Sequence, residues 1–463
     1  MRTVRTSLVL LMLGAAVTQA QVATELTLST WRDKYPSPRL EVLRAQVASG
    51  QTDTNAFWRE IAQKGTPLVE SFGKDTQHQL VTFLWRGSSE TRNVLVEFYP
   101  YTWERAQDYV MRMIADTDVW YLSLRLPSGA RFAYRLSPND PLNNPSFGVL
   151  RNTNFQSDPL NPNRWLCRPT APATNCRSMV ELPGAVAQPW IVRNAGSPSG
   201  KVDKHSLKSE LLKNERSVSV YTPSGYTTST RYPLVVLFDE GAYLSIVPTP
   251  VILDNLIAAS RIPPLVAVLV SNPPGARGSE LLHNRDFADF LAKELIPWMR
   301  AHYSVTRDPR QTLIGGASAG GVAAAYAGLL YPRIFGNILS QSGGFNFSPE
   351  QMRDWAARSP AASAHEDRHV QEEVEDRSLV EGGWLAKQYI QSPKLPLKFY
   401  LDAGVFEASL GGFIGILDAS RHMRDVLLAK GYEVHYQEFI GGHDYLSWRG
   451  TLADGLIALI GSK

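Results

Sequence analysis

One stretch constrains this 463-residue chain more than any other: the apolar run Thr312-Leu313-Ile314 breaks into Gly315-Gly316-Ala317-Ser318-Ala319-Gly320-Gly321 and resumes as Val322-Ala323-Ala324-Ala325-Tyr326-Ala327. The pattern reads as a strand, a sharp turn and a helix. Gly316-Ala317-Ser318-Ala319-Gly320 fits G-x-S-x-G, in which small flanking residues let the backbone turn tightly enough to hold a strained serine above a sheet edge. The following helix aims its N-terminus at that serine. Its N–H groups and dipole favour the negative charge that develops when a serine attacks a carbonyl. The same letters also describe an ordinary serine N-cap, so partners have to decide.

A serine hydroxyl is a poor nucleophile near neutral pH; it needs a base, and the base needs an orienting acid. Around Ser318 strands and helices alternate, the sign of an α/β fold. Leu234–Phe238, Leu265–Val270 and Leu397–Leu401 are continuous apolar runs suited to interior parallel strands. Phe287, Phe290, Leu291, Leu295 and Trp298 share one helix face after Asn284, and Ile414, Leu417 and Leu427 belong to another helix that Gly431 ends. In α/β-hydrolases the chain order is serine, acid, histidine. Of the later histidines, His365 and His369 sit in a charged stretch, His422 falls on a helix and His435 in a strand. His443 alone follows a strand end through glycines, in Phe439-Ile440-Gly441-Gly442-His443, and is the expected base. For the acid, Asp402 and Glu407 compete. Glu407 is preferred because it lies beyond Gly404 on the loop, whereas Asp402 is nearly within the strand. The backbone N–H groups of Gly241, in Phe238-Asp239-Glu240-Gly241, and Ala319 are the expected oxyanion donors.

The rest of the chain is organised around this domain. The length favours two domains. Met1–Ala20 has a basic start (Arg2, Arg5), an apolar centre and a small-residue end, a signal-peptide pattern with cleavage before Gln21. Its apolar part is shorter than the roughly 20 residues that span a bilayer, so no membrane anchor is expected after cleavage. Removing Arg2 and Arg5 takes the formal charge from +3 to +1, which offers no electrostatic case for nucleic acid. The two cysteines, Cys167 and Cys176, lie close together in a Pro- and Arg-rich loop. One short disulfide there fits an oxidising compartment, and a metal site would need more ligands.

Pro38–Lys64 reads as two short helices. Val81–Trp85, Asn93–Phe98, Val119–Leu124 and Arg131–Leu136 read as strands of an all-β sandwich. From Ser137 to Ser197, Pro and Asn clusters suggest an irregular excursion or linker, with the domain boundary near Ala195. The expected layout is thus signal peptide 1–20, helical lead-in, sandwich and linker 21–195, and an α/β domain 196–463. The charged stretch Pro349–Glu381 is either a solvated insertion or a lid.

Several runs together resemble the enterochelin (enterobactin) esterases. They are Gly441-Gly442-His443-Asp444-Tyr445-Leu446-Ser447-Trp448-Arg449-Gly450, Leu339-Ser340-Gln341-Ser342-Gly343, Arg277-Gly278-Ser279-Glu280-Leu281 with Asn284, Asp118-Val119-Trp120, and Asp158-Pro159-Leu160-Asn161-Pro162. The similarity runs from about Thr82 to the C-terminus. It implies an N-terminal immunoglobulin-like sandwich leaning on an α/β-hydrolase, and hydrolysis of the ester bonds of a cyclic tris-catecholate siderophore so that bound iron is released. Ser318 carries over as nucleophile, His443 as base and Glu407 as acid. Two departures stand out. Glu240 occupies a position where the family usually has glycine, and the familiar members are cytoplasmic, whereas a signal peptide implies the periplasm.

The resulting expectation is a serine esterase needing no metal or organic cofactor, its substrate a catecholate siderophore, free or ferric. Arg277, Arg285, Trp448 and Arg449 are candidates for holding the anionic aromatic groups through charge and cation–π contact. Two alternatives stay open: an exported esterase acting on feruloyl or acetyl groups, and a non-catalytic periplasmic siderophore-binding protein.

Overall fold

The computed structural model describes residues 36–98, 107–142, 154–167, 176–349, 383–408 and 414–461. Met1–Ala20, with its signal-peptide pattern, and nearly all of the candidate lid Pro349–Glu381 lie outside the described residues. Among the described residues, no helix is long and apolar enough to cross a membrane.

The N-terminal part begins with two helices, Pro38–Ala48 and Asn55–Lys64. Ser37 caps the first by accepting the Leu40 N–H, and Pro38 stands where no helical N–H is needed. Eight strands follow: β1 (Leu68–Phe72), β2 (Asp75–Arg86), β3 (Val94–Phe98), β4 (Arg112–Met113), β5 (Val119–Pro127), β6 (Arg131–Pro138), β7 (Arg164–Trp165) and β8 (Arg177–Glu181). They form two four-stranded sheets, ordered β1-β2-β5-β4 and β3-β6-β8-β7. Val81, Phe83, Leu122 and Leu124 of one pack with Val96, Phe132, Tyr134 and Leu136 of the other, which closes the sandwich. One expectation needs correction. Ser137–Ser197 is not irregular throughout, because β8 pairs between β6 and β7. Its five residues contain neither Pro nor Asn, and Ser178 and Val180 point inward; the cluster of turn formers upstream masked this strand.

The C-terminal part is one eight-stranded sheet. Its strands are β9 (Lys201–Ser209), β10 (Asn214–Thr222), β11 (Leu234–Phe238), β12 (Val266–Val270), β13 (Thr312–Ala317), β14 (Asn337–Gln341), β15 (Lys398–Gly404) and β16 (Glu433–Phe439), ordered β16-β15-β14-β13-β11-β12-β10-β9. From β12 to β16 neighbouring strands are parallel. β10 runs antiparallel to β12 and to β9, a pair not anticipated from the alternating pattern downstream. Along β11, Leu234, Val236 and Phe238 face helices 285–302, 319–330 and 416–429, while Val235 and Leu237 face helices 249–258 and 445–460. Both faces are covered, as the unbroken apolar runs require. Because β13, β15 and β16 are parallel, the loops carrying Ser318, Glu407 and His443 all emerge at one edge, the C-terminal edge where such sheets place their sites.

Candidate active site

The serine turn comes first. β13 ends at Ala317, Ser318 takes φ 59° and ψ −120°, and a helix runs from Ala319 to Leu330. A non-glycine residue in that region is strained and persists only where its surroundings hold it. Here the Ser318 N–H donates to the Gln341 carbonyl (2.8 Å), and the Ser318 carbonyl accepts from Gly321 and Gly344. The small residues have a measurable reason. A Cβ on Gly316 would sit 3.0 Å from the Gly320 backbone, and one on Gly321 would meet Ser340 Oγ at 2.2 Å. The N–H groups of Ala319 and Gly320 belong to the first helical turn, which has no intrahelical acceptor for them.

Glu407 and His443, the expected acid and base, are held together. After β15, a single helical turn, Val405–Glu407, folds the Glu407 side chain back so that Oε2 accepts the Gly404 N–H at 2.6 Å. Glu407 is fully buried, and its Oε1 lies 2.5 Å from His443 Nδ1. An ionised Glu407 can only accept, so Nδ1 carries the hydrogen and Nε2 is the acceptor nitrogen of the ring. His443 itself is 23% exposed. Trp448 packs edge-on against its ring, centroids 4.8 Å apart, and donates Nε1–H to Ser342 Oγ.

Asp402, the competing acid, stays in the sheet. It is fully buried and its Oδ1 accepts the Ser342 N–H at 3.0 Å. Burial, reinforced by the nearby Glu407, pushes its carboxyl up to about 8. In the unfolded chain it titrates near 3.8. Between those values the folded state binds more protons than the unfolded one, so stability is lost as pH rises through that window. Urea denaturation from about pH 5 to about pH 8 should show this decline in the wild type, and a flatter profile in Asp402→Asn.

The turn facing the serine explains how Glu240 is accommodated. Asp239 adopts the left-handed conformation, φ 58°, and starts the short helix Glu240–Ser245. The Glu240 carboxylate turns away from the sheet edge toward β10, where it accepts the hydroxyls of Ser217 (2.7 Å) and Ser219 (2.5 Å). Gly241 remains exposed, and its N–H and that of Glu240 both belong to the first helical turn. The turn lies beside the elbow helix: a Cβ on Gly320 would be 3.8 Å from Asp239 Oδ2. Glu240→Ala leaves the part-buried Ser217 hydroxyl and the buried Ser219 hydroxyl without their acceptor and should cost about 1–3 kcal/mol in urea denaturation. Unchanged stability would mean that the two serines are not relying on it.

The four residues expected to hold substrate separate. Arg277 grips Asp239 through Nε and Nη2 (2.5 and 2.8 Å) beside this turn while its side chain stays 43% exposed. Trp448 is only 3% exposed; it braces His443 and has no open face for a ligand. Arg285 pairs with Asp289 on its own helix. Arg449 stacks over the Trp165 ring and donates to Gln188, so it serves the seam with the N-terminal part. Cys167 and Cys176 are disulfide-bonded.

Sequence reasoning missed how far the sandwich reaches into the site. Phe406, next to Glu407, packs against Phe132 inside the sandwich core, and the Arg131 N–H donates to the Ile440 carbonyl. It also missed the buried chain from Tyr243 through Gln341 to the Trp448 carbonyl and Thr451. These contacts join residues far apart in the chain. In the sequence only Gln341, a long polar side chain at the end of β14, hinted at one of them.

The chain matches the family described as "Putative esterase" over residues 209–459, and "Enterochelin esterase, N-terminal" over residues 80–191. It is similar to the iron(III) enterobactin esterase of Escherichia coli O6:H1, 30% identical over 400 residues that cover 82% of this chain and 90% of that protein. The iron(III) enterobactin esterase of Dickeya dadantii is 28% identical over 440 residues, covering 88% and 93%. Among solved structures, the Shigella flexneri enterobactin esterase crystallised in the presence of enterobactin superposes with a TM-score of 0.64 at 27% identity, covering 88% of this chain and 97% of that one.

Proposed function

The chain belongs to the enterochelin esterase family, and on that premise we propose that it is a serine esterase that opens the ester bonds of an enterobactin-like catecholate siderophore. The observation that carries this reading is the buried Glu407 carboxylate 2.5 Å from His443 Nδ1, on the same sheet edge as the strained Ser318. His443 Nε2 takes the Ser318 proton as Oγ attacks an ester carbonyl. The first-turn N–H groups at Ala319 and at Gly241 stabilise the oxyanion, His443 returns its proton to the leaving alkoxide, and an acyl-enzyme remains. Water then attacks that ester with His443 as base, which releases the acid and regenerates Ser318. Glu407 holds the imidazole in the required tautomer throughout. Arg277, exposed beside the oxyanion turn, is the cation best situated to meet an anionic catecholate.

Similarity across both parts of the chain favours the siderophore reading over feruloyl or acetyl esters, since the two enterobactin esterases align over the N-terminal part as well. Incubating Gln21–Lys463 separately with enterobactin, its ferric complex and methyl ferulate tests it. Release of dihydroxybenzoylserine from either form of the siderophore is expected. Turnover of ferulate with the trilactone left intact would overturn it.

We further propose export to the periplasm, from the Met1–Ala20 pattern and the Cys167–Cys176 disulfide. The mature protein in a periplasmic fraction should begin at Gln21. An intact Met1 on cytoplasmic material would contradict export.

A further inference from the structure

The strand β7 is only two residues long, yet three features hold it. It pairs with β8 through Arg164↔Ser178 and Trp165↔Arg177. Arg164 Nη1 donates to the Asp158 carbonyl (2.6 Å), and the Cys167–Cys176 disulfide closes the two strands just beyond their paired residues. Trp165 is thus presented from a fixed backbone, and what it reaches is the loop carrying His443.

Trp165 Nε1–H donates to Asp444 Oδ1 at 3.1 Å, and that same oxygen accepts the Leu446 N–H at 2.7 Å to cap the helix Tyr445–Ile460. The Arg449 guanidinium lies 4.7 Å above the Trp165 ring. Gln188 ties the assembly together by accepting from Arg449 and donating to the Leu446 carbonyl. Asp444 directly follows His443. Its backbone is committed as well, with its N–H on Gly442 and its carbonyl receiving Ser447 and Trp448. The backbone next to His443 is therefore held through Asp444.

We infer that Trp165 is a positioning residue for His443, supplied by the N-terminal domain and acting through Asp444; the inference rests on His443 being the base proposed for ester hydrolysis. A general base must stay within hydrogen-bond reach of its proton, and a displacement of about 1 Å costs on the order of a hundredfold in rate. The indole N–H and the Leu446 N–H both donate to Asp444 Oδ1 and orient its carboxylate. Without the indole N–H, the cap and the residue before it gain freedom at the point where the hydroxyl proton is transferred.

Trp165→Phe in Gln21–Lys463 removes the indole N–H and trims the ring, while an aromatic face for Arg449 to stack on remains. Three measurements are needed: kcat and KM on enterobactin, the far-downfield proton resonance of His443 Nδ1–H, and the thermal midpoint. The expected result is a fall of about tenfold in kcat with KM within about twofold of wild type, together with a broadened or shifted resonance. Cys167→Ser/Cys176→Ser, which frees β7 without touching Trp165, should move kcat and the resonance in the same direction by less. A Trp165→Phe protein whose kcat and resonance match the wild type, with only the thermal midpoint lowered, would reduce Trp165 to an interface contact and overturn the inference. Ser318→Ala run alongside separates the two readings. If it keeps the wild-type rate, the hydrolytic mechanism fails, and the resonance, which needs no turnover, then decides on Trp165 alone.

Discussion

Ser318→Ala is expected to lower kcat for siderophore ester hydrolysis by about a millionfold, with binding of the substrate little changed. The size follows from the division of labour at the sheet edge. On the proposed mechanism, loss of Ser318 removes the covalent step outright. The first-turn N–H groups at Ala319 and Gly241 would survive the substitution and leave about a thousandfold of residual acceleration over water. Because Ser318 adopts φ 59° at a strained turn, alanine relieves no backbone strain, and the folded structure should persist. A titration of bound siderophore by tryptophan fluorescence separates loss of chemistry from loss of binding. Activity within about tenfold of wild type would remove Ser318 from the mechanism.

The second large effect falls on the acid. Glu407→Gln preserves shape but replaces an acceptor-only carboxylate with a group that also carries an amide, so His443 Nδ1 loses its enforced hydrogen and the wrong tautomer becomes accessible. A loss of about ten thousandfold in kcat is expected, as when an equivalent carboxylate becomes an amide elsewhere. Asp402→Asn should retain kcat within about tenfold. Its carboxyl meets the Ser342 N–H inside the sheet and not the imidazole, and burial already favours its neutral form. The reverse ranking would exchange the two assignments and would require His443 to face the sheet.

How much of this was legible in the chain depended on whether the signal was local. The elbow declared itself because every one of its requirements is written within a few residues: Gly316 and Gly321 are small since the Gly320 backbone and Ser340 crowd them. The β11, β12 and β15 runs were equally plain, being apolar on both faces. Glu407 was separable from Asp402 because the glycine between them marks the strand end, and the structure puts Glu407 against His443. Local pattern failed where a residue's role is set from far away. Trp448 and Arg449 look like ligand-holding groups beside a histidine, yet one is buried behind the imidazole and the other stacks on Trp165, far upstream in the other domain. Glu240 resisted interpretation for the same reason, since its partners Ser217 and Ser219 lie on an antiparallel strand that the alternating pattern did not announce. β8 was hidden by the proline- and asparagine-rich segment before it.

The central claim is that Ser318 becomes acylated by the siderophore. Acid quenching of the enzyme during steady-state turnover of enterobactin, followed by mass spectrometry of the peptide Gln311–Arg333, tests it most directly. A mass increase equal to a dihydroxybenzoylserine acyl group or its linear oligomer, located on Ser318 and lost on hydroxylamine treatment, is the predicted result. Rapid opening of the trilactone with that peptide unmodified, or with the acyl group on another side chain, would contradict the account.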